Sequence, residues 1–274
     1  ARGVPMGADC ISPASHSAFT TPIELMAFIA QLRELSKGKP IGLKMCIGQV
    51  REWFAVVKAM LETNTTPDFI VIDGAEGGTG AAPIEFADHM GMPMRDGLRL
   101  VHNTLVGAGL RAQVRLGASG KILSAFDIAR CVALGADWCN SARGFMFAIG
   151  CIQSRSCHTD ACPTGVATQD PVRQRALVVP DKAERVFRYH ANTIHMLSEM
   201  MGAAGLSHPS QITADLLMTR DTNNQAVPFS SKETTLEQGA LLGNPENLQY
   251  LPEPFASHWL AADASRFGVV ERLA

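Results

Sequence analysis

The chain has 274 residues, 46% of them apolar, with 24 Lys and Arg against 26 Asp and Glu and a formal charge of −2. A chain of this length buries roughly 75% of the surface its unfolded form exposes, so one large α/β domain, alone or with an extension, is expected. A near-neutral balance without a Lys/Arg block excludes a nucleic-acid surface, and no apolar run approaches the ~18 residues a membrane span needs.

"ADCIS" (8–12) reads as a first strand. Thr21-Pro22 opens a helix, since Thr can cap and Pro suits the first turn. Apolar residues at 25, 26, 28, 29, 32 and 35 keep the helical period until Gly38. "PIGLKMC" (40–46) is a buried strand, and "VREWFAVVKAMLE" (50–62) an amphipathic helix ended by Asn64. "FIVID" (69–73) is the next strand, followed by a Gly-rich loop over 74–94. A helix near 95–107, a strand "AQVRL" (112–116), a helix near 124–134 and a strand "DWCNS" (137–141) complete the series. From Asp170 the pattern changes. One long helix occupies 180–205, a short one falls near 209–219, and 221–274 has no strong period and is expected to pack across a surface.

Apolar strands alternating with amphipathic helices mean a parallel sheet covered by helices. Strand starts at 40, 69, 112 and 137 are regularly spaced once the long loop is subtracted. That favours a barrel over an open doubly wound sheet, yet a closed barrel takes eight strands. The fold expected is α/β: the C-terminal portion of a TIM-type (β/α)8 barrel over 1–170, with an iron–sulfur loop at 150–165, then a helical extension and irregular tail over 171–274. The first three strands would lie before Ala1, and a start without Met fits part of a longer protein.

Seven cysteines are present. Cys10, Cys46, Cys131 and Cys139 sit in apolar sequence and read as buried free thiols in a reducing, cytoplasmic setting. The other three fall in "GCIQSRSCHTDACPTG" (150–165) with C-x5-C-x4-C spacing. Close thiolates select zinc or iron–sulfur clusters. Zinc would favour C-x2-C pairs and four ligands; His158 directly follows Cys157, which makes joint ligation of one ion awkward. Three cysteines suit a [3Fe–4S] centre with Cys151, Cys157 and Cys162 as ligands, and Pro163 echoes the Cys-Pro ending of ferredoxin runs. Three buried thiols are the plain alternative.

Three further features could carry chemistry. "DGAEGGTGAAP" (73–83) follows a strand but lacks the P-loop and Rossmann patterns. On a barrel it lies on the active-site face, where glycines let backbone N–H groups approach a flat ligand; a flexible surface loop is the alternative. "GASG" (117–120) and "SARGF" (141–145) follow the last two strands, where barrels build phosphate sites, and Arg143 offers a charge-assisted contact. Ordinary tight turns would read the same. Lys44 interrupts an apolar strand, so it either faces the barrel mouth, where it would stabilise negative charge, or pairs with Asp73 or Glu76. His89, His102, His190 and His195 rank below these as surface or satisfied histidines.

Together these blocks resemble the FMN-binding, iron–sulfur synthase domain of glutamate synthases, over about residues 8–205. Lys44, the Asp-Gly…Gly-Gly-Thr-Gly-Ala loop, the Ser119-Gly120 turn with Asp127, and the cysteine run followed by "PTGVATQ" carry the likeness, which is nearest to the stand-alone glutamate-synthase-like members. The resemblance implies FMN over the barrel mouth, its phosphate on Ser119, Gly120 and the Ala142, Arg143, Gly144 turn. Lys44, Asp73, Gly77, Gly78, Thr79 and Gly80 would meet the isoalloxazine, with Lys44 and Glu76 catalytic. Cys151, Cys157 and Cys162 would hold the [3Fe–4S] cluster, fed by an external electron donor. The implied reaction reduces an imine of 2-oxoglutarate and ammonia to L-glutamate. No glutaminase nucleophile is present in the chain, so nitrogen would come from a separate glutaminase or amine-supplying subunit. An N-substituted glutamate synthase and a flavin/iron–sulfur electron-transfer subunit are the alternatives.

Overall fold

The computed structural model describes residues 5–9, 11, 13, 15–77 and 85–268. The Thr21 side chain accepts the Glu24 N–H while the Glu24 carboxylate accepts the Thr21 N–H, and this box starts α1 (Pro22–Leu35). β1 (Gly42–Cys46), α2 (Val50–Thr63), β2 (Phe69–Asp73), α3 (Met94–Gly107), β3 (Arg115–Ser119), α4 (Ala125–Ala133), β4 (Trp138–Asn140) and α5 (Arg143–Ala148) follow. Asn64 ends α2 in the left-handed conformation, which Asn tolerates better than most residues.

The four strands form one parallel sheet whose spatial order is the chain order, β1-β2-β3-β4. A doubly wound sheet reverses its order at a switch point; none occurs among the described residues. Right-handed crossovers without reversal put every helix on the same side. Side chains alternate across a strand, so Ile70, Ile72, Leu116 and Ala118 enter one core with the inner faces of α1 to α4. The opposite face carries Lys44, Asp73, Ser119 and Asn140. Asp73 pairs in register with Cys46 and Ser119, and Ser119 with Asn140, so all four strand ends lie level.

β3 begins three residues later than the sequence pattern suggests. The Gln113 N–H bonds the Leu110 carbonyl at 2.9 Å, which draws Ala112 and Gln113 into a turn. The small residues Gly117 and Ala118, read from sequence as part of a turn, are mid-strand. Gly117 is needed there: a Cβ would come within 2.5 Å of the Trp138 ring. The expected strand at 8–12 is not formed at residues 8, 9 and 11; Cys10 and Ser12 lie outside the described residues.

Beyond Asp170 come α6 (Pro171–Gln174) and the 25-residue α7 (Val179–Ala203), which packs on α4 and α5. The segment expected as a short helix at 209–219 is instead two 3₁₀ turns, Pro209–Gln211 and Ala214–Leu216, running into β5 (Met218–Arg220). His208 and Gln211 close the first turn on itself, and β5 finds its backbone partners antiparallel in β6 (Ala226–Pro228).

The tail does more than cross a surface. Leu236, Leu241 and Leu248, the last on α8 (Pro245–Leu248), share the main core with Phe255 and Trp259 of α9 (Phe255–Ala261). Phe255 and Trp259 lie 5.7 and 5.6 Å from the Phe54 ring of α2. Lys58 covers the Trp259 ring and donates to the Ala262 carbonyl at 2.8 Å. Arg99 of α3 pairs with Glu233 at 3.2 Å, both largely shielded from solvent.

Candidate active site

A cavity of about 560 Å³ opens at the carboxyl ends of the strands, within the range of small-molecule sites. Each strand contributes to its lining: Lys44 from β1, Asp73 from β2, Ser119 from β3 and Asn140 from β4. Lys44 Nζ lies 2.6 Å from the Asp73 carboxylate. The lysine therefore both faces the cavity and is paired, which combines the two readings its sequence position allowed.

Glu76 and Gly77 line the cavity as well. The Glu76 carboxylate accepts the Met94 N–H through both oxygens, at 3.1 and 3.2 Å. Pro93 precedes α3 and gives no side-chain cap; Glu76 reaches across from the β2 loop and satisfies that orphan donor. Gly78, Thr79 and Gly80 lie outside the described residues.

The far end of the cavity is basic. Gly120, Lys121, Ala142 and Arg143 come from the turns after β3 and β4, and Arg155 from the cysteine loop. Lys121 is 2.5 Å from Asp88. Asp88's carboxyl is held below the ordinary range, first by the Lys121 hydrogen bond and further by the nearby Arg143 and Arg155 charges. Neither guanidinium has an ion-pair partner among the described residues. After Lys44 and Lys121 are matched by their carboxylates, Arg143 and Arg155 are left, among the described residues, without an ion-pair partner, and Glu76 is a lining carboxylate without a paired cation. Gly144 is not in the lining; it is buried beneath Tyr189.

Cys151 and Cys157 also face the cavity. Cys162 is buried behind them, 5% exposed. Burial pushes its thiol up, but the Thr164 hydroxyl and the N–H groups of Ala167, Thr164 and Val166 outweigh this and bring it down to about 7. The Gln153 N–H points at Cys151 Sγ at 3.5 Å. Gln153, Arg155 and Asp160 all take positive φ, and Asp160 is tied down by Thr168 and by the Gln169 N–H. The donor set suits a soft metal in kind. Even so, among the described residues no three Cys, His, Asp or Glu side chains gather around one point.

Sequence reasoning missed Asp88, Lys121 and Arg155. Arg155 stood inside the quoted cysteine run and Lys121 directly after Gly120, so their positions were available; their shared direction needed the fold. The histidines divide by environment. His102 is satisfied by the Arg111 guanidinium at 3.2 Å, whereas His190 is exposed against Phe145.

A single-sided parallel sheet with a cavity at its strand ends, basic at one end and walled by cysteines, defines an α/β protein with a built ligand site. The chain belongs to the glutamate synthase family: the model described as the conserved region in glutamate synthase matches residues 1–207. It is 40% identical over 226 residues to the glutamate synthase large subunit-like protein YerD of Bacillus subtilis, covering 82% of this chain and 43% of that protein. It is 35% identical over 207 residues to the archaeal glutamate synthase (NADPH) of Methanocaldococcus jannaschii, covering 75% and 40%. Against the glutamate synthase (NADPH) large chain of B. subtilis the figures are 34% over 224 residues, 77% and 14%. The chain thus spans less than half the length of these relatives. A solved flavocytochrome b2 overlaps with a TM-score of 0.44 at 13% identity, covering 78% of this chain and 43% of that one, too loosely to inform on ligand or fold. No helix among the described residues is long and apolar enough to cross a membrane.

Proposed function

We propose that this chain is the C-terminal portion of an FMN-dependent, glutamate-synthase-type (β/α) barrel that reduces a 2-oxoglutarate-derived imine to L-glutamate. The observation that carries the reading is the cavity's polarity. Two guanidinia without an ion-pair partner among the described residues mark one end, and the Lys44–Asp73 pair marks the strand-end wall. A phosphate monoester matches the basic end in charge and in the bidentate geometry that Arg prefers. The site therefore fits FMN, with Arg143, Arg155 and the Gly120 and Ala142 turns at its phosphate.

Bound FMN would supply hydride transfer to the imine carbon. The chain's own groups orient the partners. Asp73 holds Lys44 Nζ at the strand end, where its charge can meet a substrate carboxylate or electron-rich ring. Glu76, fixed by the Met94 N–H, presents a carboxylate to the same space from a constant position and is the candidate proton carrier. Nitrogen and electrons would come from partner proteins, a glutaminase or amine-supplying subunit and an external donor.

Cys151, Cys157 and Cys162 are the proposed ligands of a [3Fe–4S] cluster, which would supply single-electron transfer from that donor. The spacing and the lowered Cys162 thiol support this; three sulfurs that do not converge weigh against it. Counting iron and sulfide in anaerobically purified protein tests it apart from the flavin. Saturable quenching of FMN fluorescence by the chain, and glutamate formation from 2-oxoglutarate and ammonia with a chemical reductant, test the main reading. Absence of FMN binding would overturn it.

A further inference from the structure

The basic end of the cavity is built from two turns on different strands, so its geometry depends on what fixes their spacing. One turn runs from Ser119 to Ser124, the other from Ser141 to Gly144. Ser141 Oγ donates to the Ile122 carbonyl at 2.7 Å and joins them once. The second link comes from α7, which contributes no residue to the cavity lining. Its Tyr189 hydroxyl donates to the Leu123 carbonyl at 2.6 Å. A Cβ on Gly144 would overlap that same hydroxyl. The Phe145 ring, the next residue along α5, meets the Tyr189 ring edge-on at 5.2 Å and 85°. One phenol thus bears on both turns, and the absence of a side chain at Gly144 makes the approach possible. A rigid two-torsion side chain on a long helix suits such a strut, because it holds position at little entropic cost.

We propose that Tyr189 is a positioning residue: it sets the gap between the two turns so that Arg143 and the Gly120 turn close on one anionic group. This rests on the reading above that the group is the FMN phosphate. Without the hydroxyl, the Leu123 turn loses its outer support. The second turn then loses its stop, and Arg143 is no longer held at the distance the anion needs.

FMN and riboflavin share the ring system and differ in the phosphate, so the ratio of their affinities isolates the basic end. Tyr189→Phe keeps the ring and removes only the hydroxyl. The variant should lose about fivefold of its preference for FMN over riboflavin, the effect of one net hydrogen bond, with riboflavin affinity unchanged. Amide exchange should speed up in 119–124 and 141–146 but not in β2. Since the two residues act on the same contact, adding Tyr189→Phe to Arg143→Gln should lose little beyond Arg143→Gln alone.

A purely structural role would weaken both flavins alike. That result, an unchanged preference, or unchanged exchange in either turn overturns the proposal. Equal affinity of the unmodified protein for the two flavins overturns it too. If the unmodified protein binds neither flavin, the FMN reading falls by itself. Exchange then decides for Tyr189: faster in both turns upholds it, unchanged in either one refutes it.

Discussion

Removing one ring from the tail tests whether residues past 221 belong to the same cooperative unit as the sheet. Phe255 is 2% exposed and packs against Phe54, and Phe54 is fully buried in the middle of α2. Burying a phenylalanine is worth about 1.5–3 kcal/mol. Its ring contact adds about 0.5–1.5 kcal/mol, and a cavity that cannot collapse adds more. Phe255→Ala should therefore cost about 3–5 kcal/mol, in line with buried Phe-to-Ala changes elsewhere. In a chain of this size that lowers Tm by about 10 °C. The assay is urea and thermal unfolding of the full chain followed by both far- and near-ultraviolet circular dichroism. Tyr250→Ala, at a tail position 82% exposed, serves as the control and should change stability by no more than about 0.5 kcal/mol. A loss below about 1 kcal/mol in Phe255→Ala would refute the reasoning. So would an early separate step for the tail, because it would mean that α9 docks on a sheet that is stable without it.

Three other outcomes are expected. His102 is depressed from 6.5 to about 4 by burial, with Arg111 and Arg99 adding to it; its neutral form therefore stabilises the fold fully above pH 6.5, and that share is lost as pH falls toward about 4. Urea midpoints across that window should flatten in His102→Gln, and an unchanged slope would remove His102 as the cause. Thr164→Val deletes a donor to Cys162 and should raise its thiol above about 7, read from the pH dependence of thiolate absorbance against Cys162→Ser. Lys44→Met breaks an ion pair whose lysine is 58% exposed, so stability should shift by at most about 1 kcal/mol; under the proposed function, glutamate formation should fall while FMN content holds, and full turnover would take Lys44 out of the site.

How much of this was legible depends on which interactions each residue obeys. Helix starts were readable where the signal is local: Thr21, Pro22 and Glu24 sit within one turn and satisfy each other. Strands β1 and β2 were readable from apolar runs bounded by turn residues. β3 was misplaced because its middle is Gly117-Ala118, small residues that look like a turn. Their size is dictated by Trp138 on the neighbouring strand, 21 positions away. The tail shows the same limit. Phe255 and Trp259 stand at i, i+4, but one such pair is too short a pattern to read as a helix until α2 supplies the surface they bury against.

The site divides along the same line. Lys44, Asp73 and Ser119 announced themselves because each breaks or ends a strand, and Arg143 because it stands in the turn after one, where parallel sheets build their sites. Glu76 did so only in part, since its bond to the Met94 N–H spans 18 residues and answers a need created by Pro93, which gives α3 no side-chain cap. Tyr189 gave no signal at all. It is one aromatic in an amphipathic helix, and what distinguishes it is the absence of a side chain at Gly144, 45 residues earlier. Here the residues that line the cavity from the strands violate their local pattern and can be seen from sequence. Residues that hold those in place obey their local pattern and become visible only through what they meet. If Tyr189→Phe alters FMN preference, the same search, for side chains that reach a glycine behind a binding turn, can be applied to the other three strand ends.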